Sequence, residues 1–269
     1  MAEQVFNSSI MRLFGSWKYV NEKYKSQLDD LQKSCGDFIC SGKYPVIWQT
    51  RSKFVLLLTL NDGTQLVYKA PKKLRSPMRY MFRPSPWGKE ALNFQRLSQI
   101  GLPLVKLAAV GETRKFFILK HGFLMTQFAS GFSDGGAFLE NGELKDSVSL
   151  RDEFISRNFQ YLAKMHKAGF IHKGFTPYNL LFKLLPCPDA EGNQLELKWI
   201  DVASCEKPFC KINFKTKAVR DLSLFFHFFK LEDSAKIRLL ETYCRHNPDI
   251  STDAEKLLDV IKKNQVRTS

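Results

Sequence analysis

The stretch IHKGFTPYNLLF, Ile171–Phe182, fixes the reading of this chain. His172 opens it, Gly174 stands two residues on, and Asn179 follows seven positions after the histidine. An apolar run, Leu180-Leu181-Phe182, comes next and leads into the turn-rich segment PCPDAEGN. A second apolar run, QLELKWI, then ends at Asp201. Two short strands, Asn179–Leu185 and Gln194–Asp201, are predicted on either side of the turn. Asn179 and Asp201 thus mark the two ends of a hairpin, and both carry oxygen donors suited to a hard cation such as magnesium.

Working outward, a long helix precedes the loop. Ser149 with Asp152 predicts its start, and Phe154, Ile155, Phe159, Leu162 and Met165 recur near a 3.6-residue period. From Arg220 onward the chain reads as helical, beginning with DLSLFFHFF, whose phenylalanines read as core. The front of the chain reads as strands. KFVLLLTL (Lys53–Leu60) is a buried strand, Asn61-Asp62-Gly63 a turn, and TQLVYKA (Thr64–Ala70) an alternating strand that ends near Lys69. A basic, proline-punctuated segment follows, and Ser85-Pro86 opens a helix that carries Glu90 and stops at Gly101 and Pro103. Strands are expected at Leu104–Val110 and Phe116–Phe128, joined by a turn at Gly111–Arg114. These elements predict an α+β chain in three parts: a helical N-terminal extension over 1–44, a strand-rich lobe over 45–130 and a mainly helical lobe over 131–269.

Phosphoryl transfer needs little covalent help from protein. It needs the phosphates held, magnesium held and the acceptor hydroxyl aligned. Lys69 at a strand end can reach phosphates, and Glu90 on the next helix can pair with it. Asn179 and Asp201 can hold the metal. Each signal alone has an ordinary explanation: a solvated lysine, an acid near a helix start, a cap, a turn residue. Their order is what carries weight. Strand lysine, helix glutamate, long helix, His-x6-Asn, hairpin and aspartate follow the order of a kinase-type site, whose catalytic loop reads His-Arg-Asp-x-x-x-x-Asn. His172 heads that frame and is placed with the candidate catalytic group, with packing and hydrogen bonding as its expected work.

With these residues in hand, the sequence resembles the lipopolysaccharide core kinases, the Kdo and heptose kinases of bacterial envelopes. The resemblance covers roughly residues 45–230. It also draws on LRSPMRYMFRPS before the Glu90 helix, on QRLSQIGLPLVKL, and on the late segment Lys217–Leu222. It implies a protein-kinase-like bilobal fold, with a small antiparallel-sheet lobe bearing one helix and a larger, mainly helical lobe. It implies ATP and magnesium as cofactors and an inner-core sugar hydroxyl as acceptor, at the cytoplasmic side of the inner membrane. Lys69 becomes the phosphate lysine, Glu90 its partner, and Asn179 and Asp201 the magnesium ligands. The segment Phe123–Phe128, with Met125 and Gln127, lies near the adenine. Two features depart from the pattern. Gly174 stands where the catalytic aspartate belongs, and Ile47–Phe54 lacks the glycines of a phosphate-covering loop, leaving Arg51 or Lys53 to cover phosphates. Asp221 is the one named substitute acid. A pseudokinase that binds nucleotide or glycolipid as a scaffold is therefore the alternative reading.

The net charge of +14 over 269 residues favours an anionic partner. Lys72, Lys73, Arg75, Arg79 and Arg83 are the cluster expected to meet core phosphates, acidic sugars or the inner leaflet. No groove-reading motif points to nucleic acid. The first residues lack the pattern of a secretory signal, and no apolar run reaches bilayer length, so a cytoplasmic location is expected. The six cysteines show no Cys-x-x-Cys spacing and are expected as free thiols.

Overall fold

A computed structural model describes residues 17–28, 45–49, 51, 53–72, 74, 77–81 and 84–266. The chain divides into two compact units, one from within Met1–Arg96 together with Val105–Ser130, the other from Leu97–Leu104 together with Gly131–Ser269.

The first unit is built on a six-stranded antiparallel sheet in the order β1-β5-β6-β4-β3-β2. Its strands are β1 (Trp17–Val20), β2 (Val46–Gln49), β3 (Lys53–Thr59), β4 (Gln65–Pro71), β5 (Leu107–Lys115) and β6 (Ile118–Gln127). Strict alternation directs Phe54, Leu56 and Leu58 of β3 and Leu66, Tyr68 and Ala70 of β4 into one core, where Phe123 and Met125 of β6 join them. Lys69 therefore stands on the opposite face of β4. A 3₁₀ turn (Glu22–Tyr24) running into the single turn α1 (Lys25–Leu28) adds Tyr24 and Leu28 to the core. The N-terminal residues that are described are thus not a separate helical extension. Trp17–Val20 pairs with β5, from Trp17 opposite Glu112 to Val20 opposite Ala109, because its backbone completes the sheet edge. The remainder of 1–44 lies outside the described residues.

The helix α2 (Pro86–Gln99) begins as the sequence predicts. The Ser85 hydroxyl accepts from the Gly88 N–H at 3.0 Å, and proline occupies the first helical position. Gly101, at φ +71°, ends it in a left-handed turn. Gly122 sets how this helix meets the sheet. A Cβ there would lie 2.4 Å from Trp87 Cε3, so the indole rests on bare backbone of β6.

The β5–β6 turn departs from expectation. Gly111–Arg114 belongs to β5, and the chain reverses at Phe116 and Phe117, both left-handed at φ 49° and 66°. Two positive-φ residues match the right-handed twist of a tight hairpin, the work usually given to Asn-Gly. What holds Arg114 within the strand is a buried ion pair. Its Nε donates to Glu112 Oε1 at 2.6 Å, and its Nη1 donates to the Tyr80 carbonyl at 2.6 Å.

The second unit is mainly helical: α3 (Val148–Lys167), α4 (Lys211–Phe229), α5 (Asp233–His246) and α6 (Ala254–Val266). The helix α3 begins just before Ser149, and α4 begins well before Arg220. A small three-stranded sheet, β7 (Ser133–Asp134), β8 (Leu180–Leu184) and β9 (Leu195–Trp199), carries the predicted hairpin. Its core is aromatic. Phe154, Phe159, Phe175, Trp199, Phe225, Phe226 and Phe229 are all buried, with ring centroids such as Phe175–Trp199 at 4.9 Å and Phe225–Phe229 at 4.8 Å. Such pairs contribute about 0.5–1.5 kcal/mol each beyond their buried area.

Because the Trp87 ring fills the space above Gly122, Gly122→Ala is expected to destabilise the protein by about 1–3 kcal/mol, the usual cost of overpacking. Chemical denaturation of the two forms measures this. Equal midpoints would mean that the helix shifts freely.

Candidate functional site

In the first unit the site begins with period-two geometry. Leu124 of β6 pairs with Lys69 and shares its face, together with Thr126. The helix α2 covers this face through Trp87, and Glu90, three residues on, follows on the same side of the helix. Lys69 Nζ donates to Glu90 Oε1 at 3.0 Å, with the lysine side chain 26% exposed and the glutamate 7%. The pair predicted from sequence is formed. Its amine is held in place yet still reaches solvent, where a phosphate can approach it.

Met125 and Gln127 do not join it. Met125 pairs with Tyr68 and is buried in the core on the other face, and Gln127 pairs with Leu66. The side chains sharing the Lys69 face are Leu124 and Thr126. The segment is a strand as expected, and the pairing register sets which face each of its residues takes. Of the basic cluster, Lys72 and Arg79 are exposed, and Lys72 Nζ donates to Gln49 Oε1 at 2.7 Å. Lys73, Arg75 and Arg83 lie outside the described residues, as do Cys35 and Cys40.

In the second unit the hairpin is pinned at its far end by α3. Glu153 accepts from the N–H groups of Gln194 and Leu195 at 3.0 and 3.1 Å, while Arg157 donates to the Leu195 carbonyl at 2.5 Å. At the near end the Ile200 N–H donates to the Asn179 carbonyl at 3.0 Å, which brings the two candidate metal ligands to one place. Asn179 Nδ2 donates to the Gly174 carbonyl at 3.1 Å, leaving Oδ1 as its remaining polar atom. Asp201 is exposed and left-handed at φ 56°. Non-glycine residues held in that region cost about 1–3 kcal/mol and cluster at functional sites.

The loop between them hangs on one buried carboxylate. Asp221 of α4 accepts from the backbone N–H of His172 at 2.7 Å and of Lys173 at 2.8 Å. His166 Nε2 lies 3.3 Å from the same carboxylate, and its Nδ1 lies 2.6 Å from the Tyr243 hydroxyl. Asp221 is 1% exposed. It is thus a loop anchor, not a base that can reach an acceptor, and this corrects its candidacy as the substitute acid. Lys173, left-handed at φ 66°, donates to Glu206 at 2.9 Å, and Lys217 donates to the other oxygen of the same carboxylate. Burial works to raise the Glu206 pKa, but the hydrogen bonds from Lys217 and Lys173 outweigh it and hold the carboxyl below its ordinary value.

His172 is fully buried, packed edge-on against Phe175 and Trp199. Neither ring nitrogen meets a hydrogen-bond partner among the described residues. Burial pushes its pKa down, and the charges of Asp221 and Asp201 oppose that without cancelling it. Its place among the catalytic candidates is corrected accordingly: the ring packs. Gly174 has ordinary backbone, and a Cβ on it would lie 3.4 Å from Ser204 Oγ and 3.9 Å from His172 Nδ1.

Comparison with known proteins adds the lineage. The profile of the family described as "Lipopolysaccharide kinase (Kdo/WaaP) family" matches residues 70–243, starting one residue after Lys69 and including Glu90, Asn179 and Asp201. No curated protein is significantly similar to the chain in sequence. Among solved structures, the chain resembles WaaP in complex with acyl carrier protein, with a TM-score of 0.66 and 18% identity over 93% of this chain and 98% of that one. This likeness gives the fold: a small antiparallel-sheet lobe and a mainly helical lobe of protein-kinase-like type. A Stt7 homolog from Micromonas algae, soaked with ATP, also aligns, at TM-score 0.42 and 13% identity over 61% of this chain and 49% of that one, too loosely to inform the site.

Two outcomes follow from the loop. A buried histidine with a lowered pKa takes up its proton on unfolding, so the stability it supports is full above the ordinary value of 6.5 and falls as pH drops below it. His172→Phe is expected to flatten the melting temperature between neutral and mildly acid pH, leaving the slope from His121, whose pKa burial also lowers. An unchanged slope would mean that His172 is charged in the fold. Asp221→Ala leaves buried donors unpaired and is expected to cost about 3 kcal/mol in a denaturant titration.

Proposed function

Since the chain belongs to the lipopolysaccharide kinase (Kdo/WaaP) family, we propose that it transfers the γ-phosphoryl group of ATP to a sugar hydroxyl of the lipopolysaccharide inner core, with magnesium. The observation that carries this reading beyond the family is the formed Lys69–Glu90 pair at 3.0 Å. Lys69 holds the ATP phosphates and Glu90 fixes its amine. Asn179 Oδ1 and the Asp201 carboxylate fit magnesium: both are hard oxygen donors, and the amide of Asn179 is oriented by its bond to Gly174. Magnesium keeps several waters and phosphate oxygens in its octahedron, so two protein ligands are enough. Bound there, it would neutralise charge that builds on the phosphates.

In the transfer, the acceptor oxygen bonds to phosphorus as the bond to the leaving ADP oxygen breaks. The transition state is loose, with little demand for early deprotonation. The hydroxyl proton passes to water or to a phosphoryl oxygen, since Gly174 offers no carboxylate and Asp221 is sealed in its anchor role. A general base is worth roughly 10²–10⁴-fold, so the chain is read as a slow kinase built on alignment and charge. The alternative, a pseudokinase that binds nucleotide or glycolipid without transfer, is favoured by that same Gly174.

No helix among the described residues is long and apolar enough to cross a membrane. We place the protein in the cytoplasm, in peripheral contact with the inner membrane through its basic surface.

Thermal unfolding with ATP and magnesium tests the nucleotide site. Ligand at one hundred times its Kd stabilises by about 2.7 kcal/mol, roughly 5–10 °C for a chain of this size. The rise is expected to need magnesium and to vanish in Asp201→Ala, together with phosphate transfer to core oligosaccharide. Gly174→Asp is expected to transfer as fast as wild type or faster, because a Cβ fits there. Nucleotide binding without transfer in either protein would establish the pseudokinase reading.

A further inference from the structure

Among the described residues of the sheet unit, Phe116 and Met78 are the most exposed large apolar side chains, at 80% and 64%. Phe116 stands with Phe117 at the tip of the β5–β6 hairpin, and Met78 lies on the 3₁₀ turn Pro77–Tyr80. One buried guanidinium joins the two segments. Arg114 Nη1 donates to the Phe117 carbonyl at 3.2 Å and to the Tyr80 carbonyl at 2.6 Å, while Glu112 fixes its Nε. Tip and turn thus form one apolar patch on a rigid base.

The tip is a costly way to reverse the chain. Lys115 pairs with Ile118, so the loop has two residues, and both are left-handed. Asparagine and glycine adopt that backbone readily; phenylalanine does not. An Asn-Gly loop would fold the hairpin with less strain and would leave no rings in water. The phenylalanines therefore answer to something other than the hairpin's own folding. Charge says what they meet. Lys115 Nζ stands 5.9 Å from the Phe116 ring centre. Lys120 and Arg79, on the two joined segments, are exposed. Register brings exposed Arg51 and Lys72 to the same end of the sheet: Lys53 pairs with Pro71 where β4 ends, and β4 runs antiparallel to β6, towards the end where β6 begins. The sequence holds no acid between Asp62 and Glu90, or between Glu112 and Asp134. Protein interfaces are depleted in lysine, whereas an anionic bilayer surface attracts it.

We propose that this end of the sheet docks on a bilayer rich in anionic phospholipid. Phe116, Phe117 and Met78 enter the boundary between headgroups and acyl chains. Arg51, Lys72, Arg79, Lys115 and Lys120 meet the headgroup phosphates, with lysine stems lying along apolar surface and amines at the headgroups. Apolar insertion or charge alone attaches a protein weakly; the two together hold it. The proposal rests on the peripheral placement above and deepens it by naming the side chains that make the contact.

The test is co-sedimentation of the full chain with vesicles of phosphatidylcholine alone and of phosphatidylcholine mixed with phosphatidylglycerol. Wild type is compared with the double substitution Phe116→Asn/Phe117→Gly. Wild type is expected to bind the mixed vesicles and not the neutral ones. The double variant is expected to bind at least about tenfold more weakly, the low end for withdrawing one phenylalanine from an apolar phase. Its melting temperature is expected to equal or exceed that of wild type, because Asn-Gly suits the turn. Equal vesicle binding by the two forms would show that charge alone holds the protein, and a lower melting temperature would show that the rings serve the fold; either overturns the proposal and leaves the peripheral placement standing. Failure of wild type to bind mixed vesicles would defeat the placement too. Self-association of wild type in place of vesicle binding, lost in the variant, would assign the patch to a second copy of the chain.

Discussion

A single buried carboxylate organises the helical unit. Asp221 sits in the aromatic interior, and an unpaired charge there would be costly. It is matched by two backbone N–H groups at the head of the loop and by the His166 ring. Those bonds fix where His172 and Lys173 begin the loop, and Lys173 is thereby held in left-handed backbone. From that fixed start the loop runs past Gly174 to Asn179, whose side chain bonds back to the Gly174 carbonyl. The anchor, the aromatic core and the hairpin work as one unit: α4 supplies both the carboxylate and the phenylalanines, while Trp199 closes the core and donates to Asn158 Oδ1 at 2.7 Å.

The sheet unit reaches its own precision by another route. There, geometry follows from alternation and from one missing side chain. Leu66, Tyr68 and Ala70 claim one face of β4, so Lys69 takes the other. Gly122 then lets Trp87 lie on β6, and the helix presents Glu90 at salt-bridge distance. The Arg114–Glu112 pair stiffens the neighbouring strand, and the reversal falls at two phenylalanines. Neither Lys69 nor Glu90 is unusual as a residue. Their pairing depends on how closely a helix lies over a sheet.

Much of this was legible in sequence, for identifiable reasons. The Ser85-Pro86 helix start, the Asn61-Asp62-Gly63 turn and the hairpin beyond Asn179 carry local signals strong enough to survive packing. The Lys69–Glu90 pair and the placement of Asn179 with Asp201 were readable from order along the chain. What was not legible depends on long-range context. Gly111 looked like a turn but is a strand glycine beside a buried ion pair. Trp17–Val20 becomes a strand only because β5 offers an edge. Met125 and Gln127 stand on the face opposite Lys69, which only the pairing register decides. Asp221 reads as a spare acid from sequence, since its two backbone partners lie about fifty residues away along the chain.

The space at Gly174 separates the folding of the loop from its chemistry. A Cβ there would touch nothing more closely than the Ser204 hydroxyl, and the backbone is in a conformation open to any residue. Glycine is therefore not demanded by folding. A carboxylate at this position would change the chemistry of the loop without crowding its backbone.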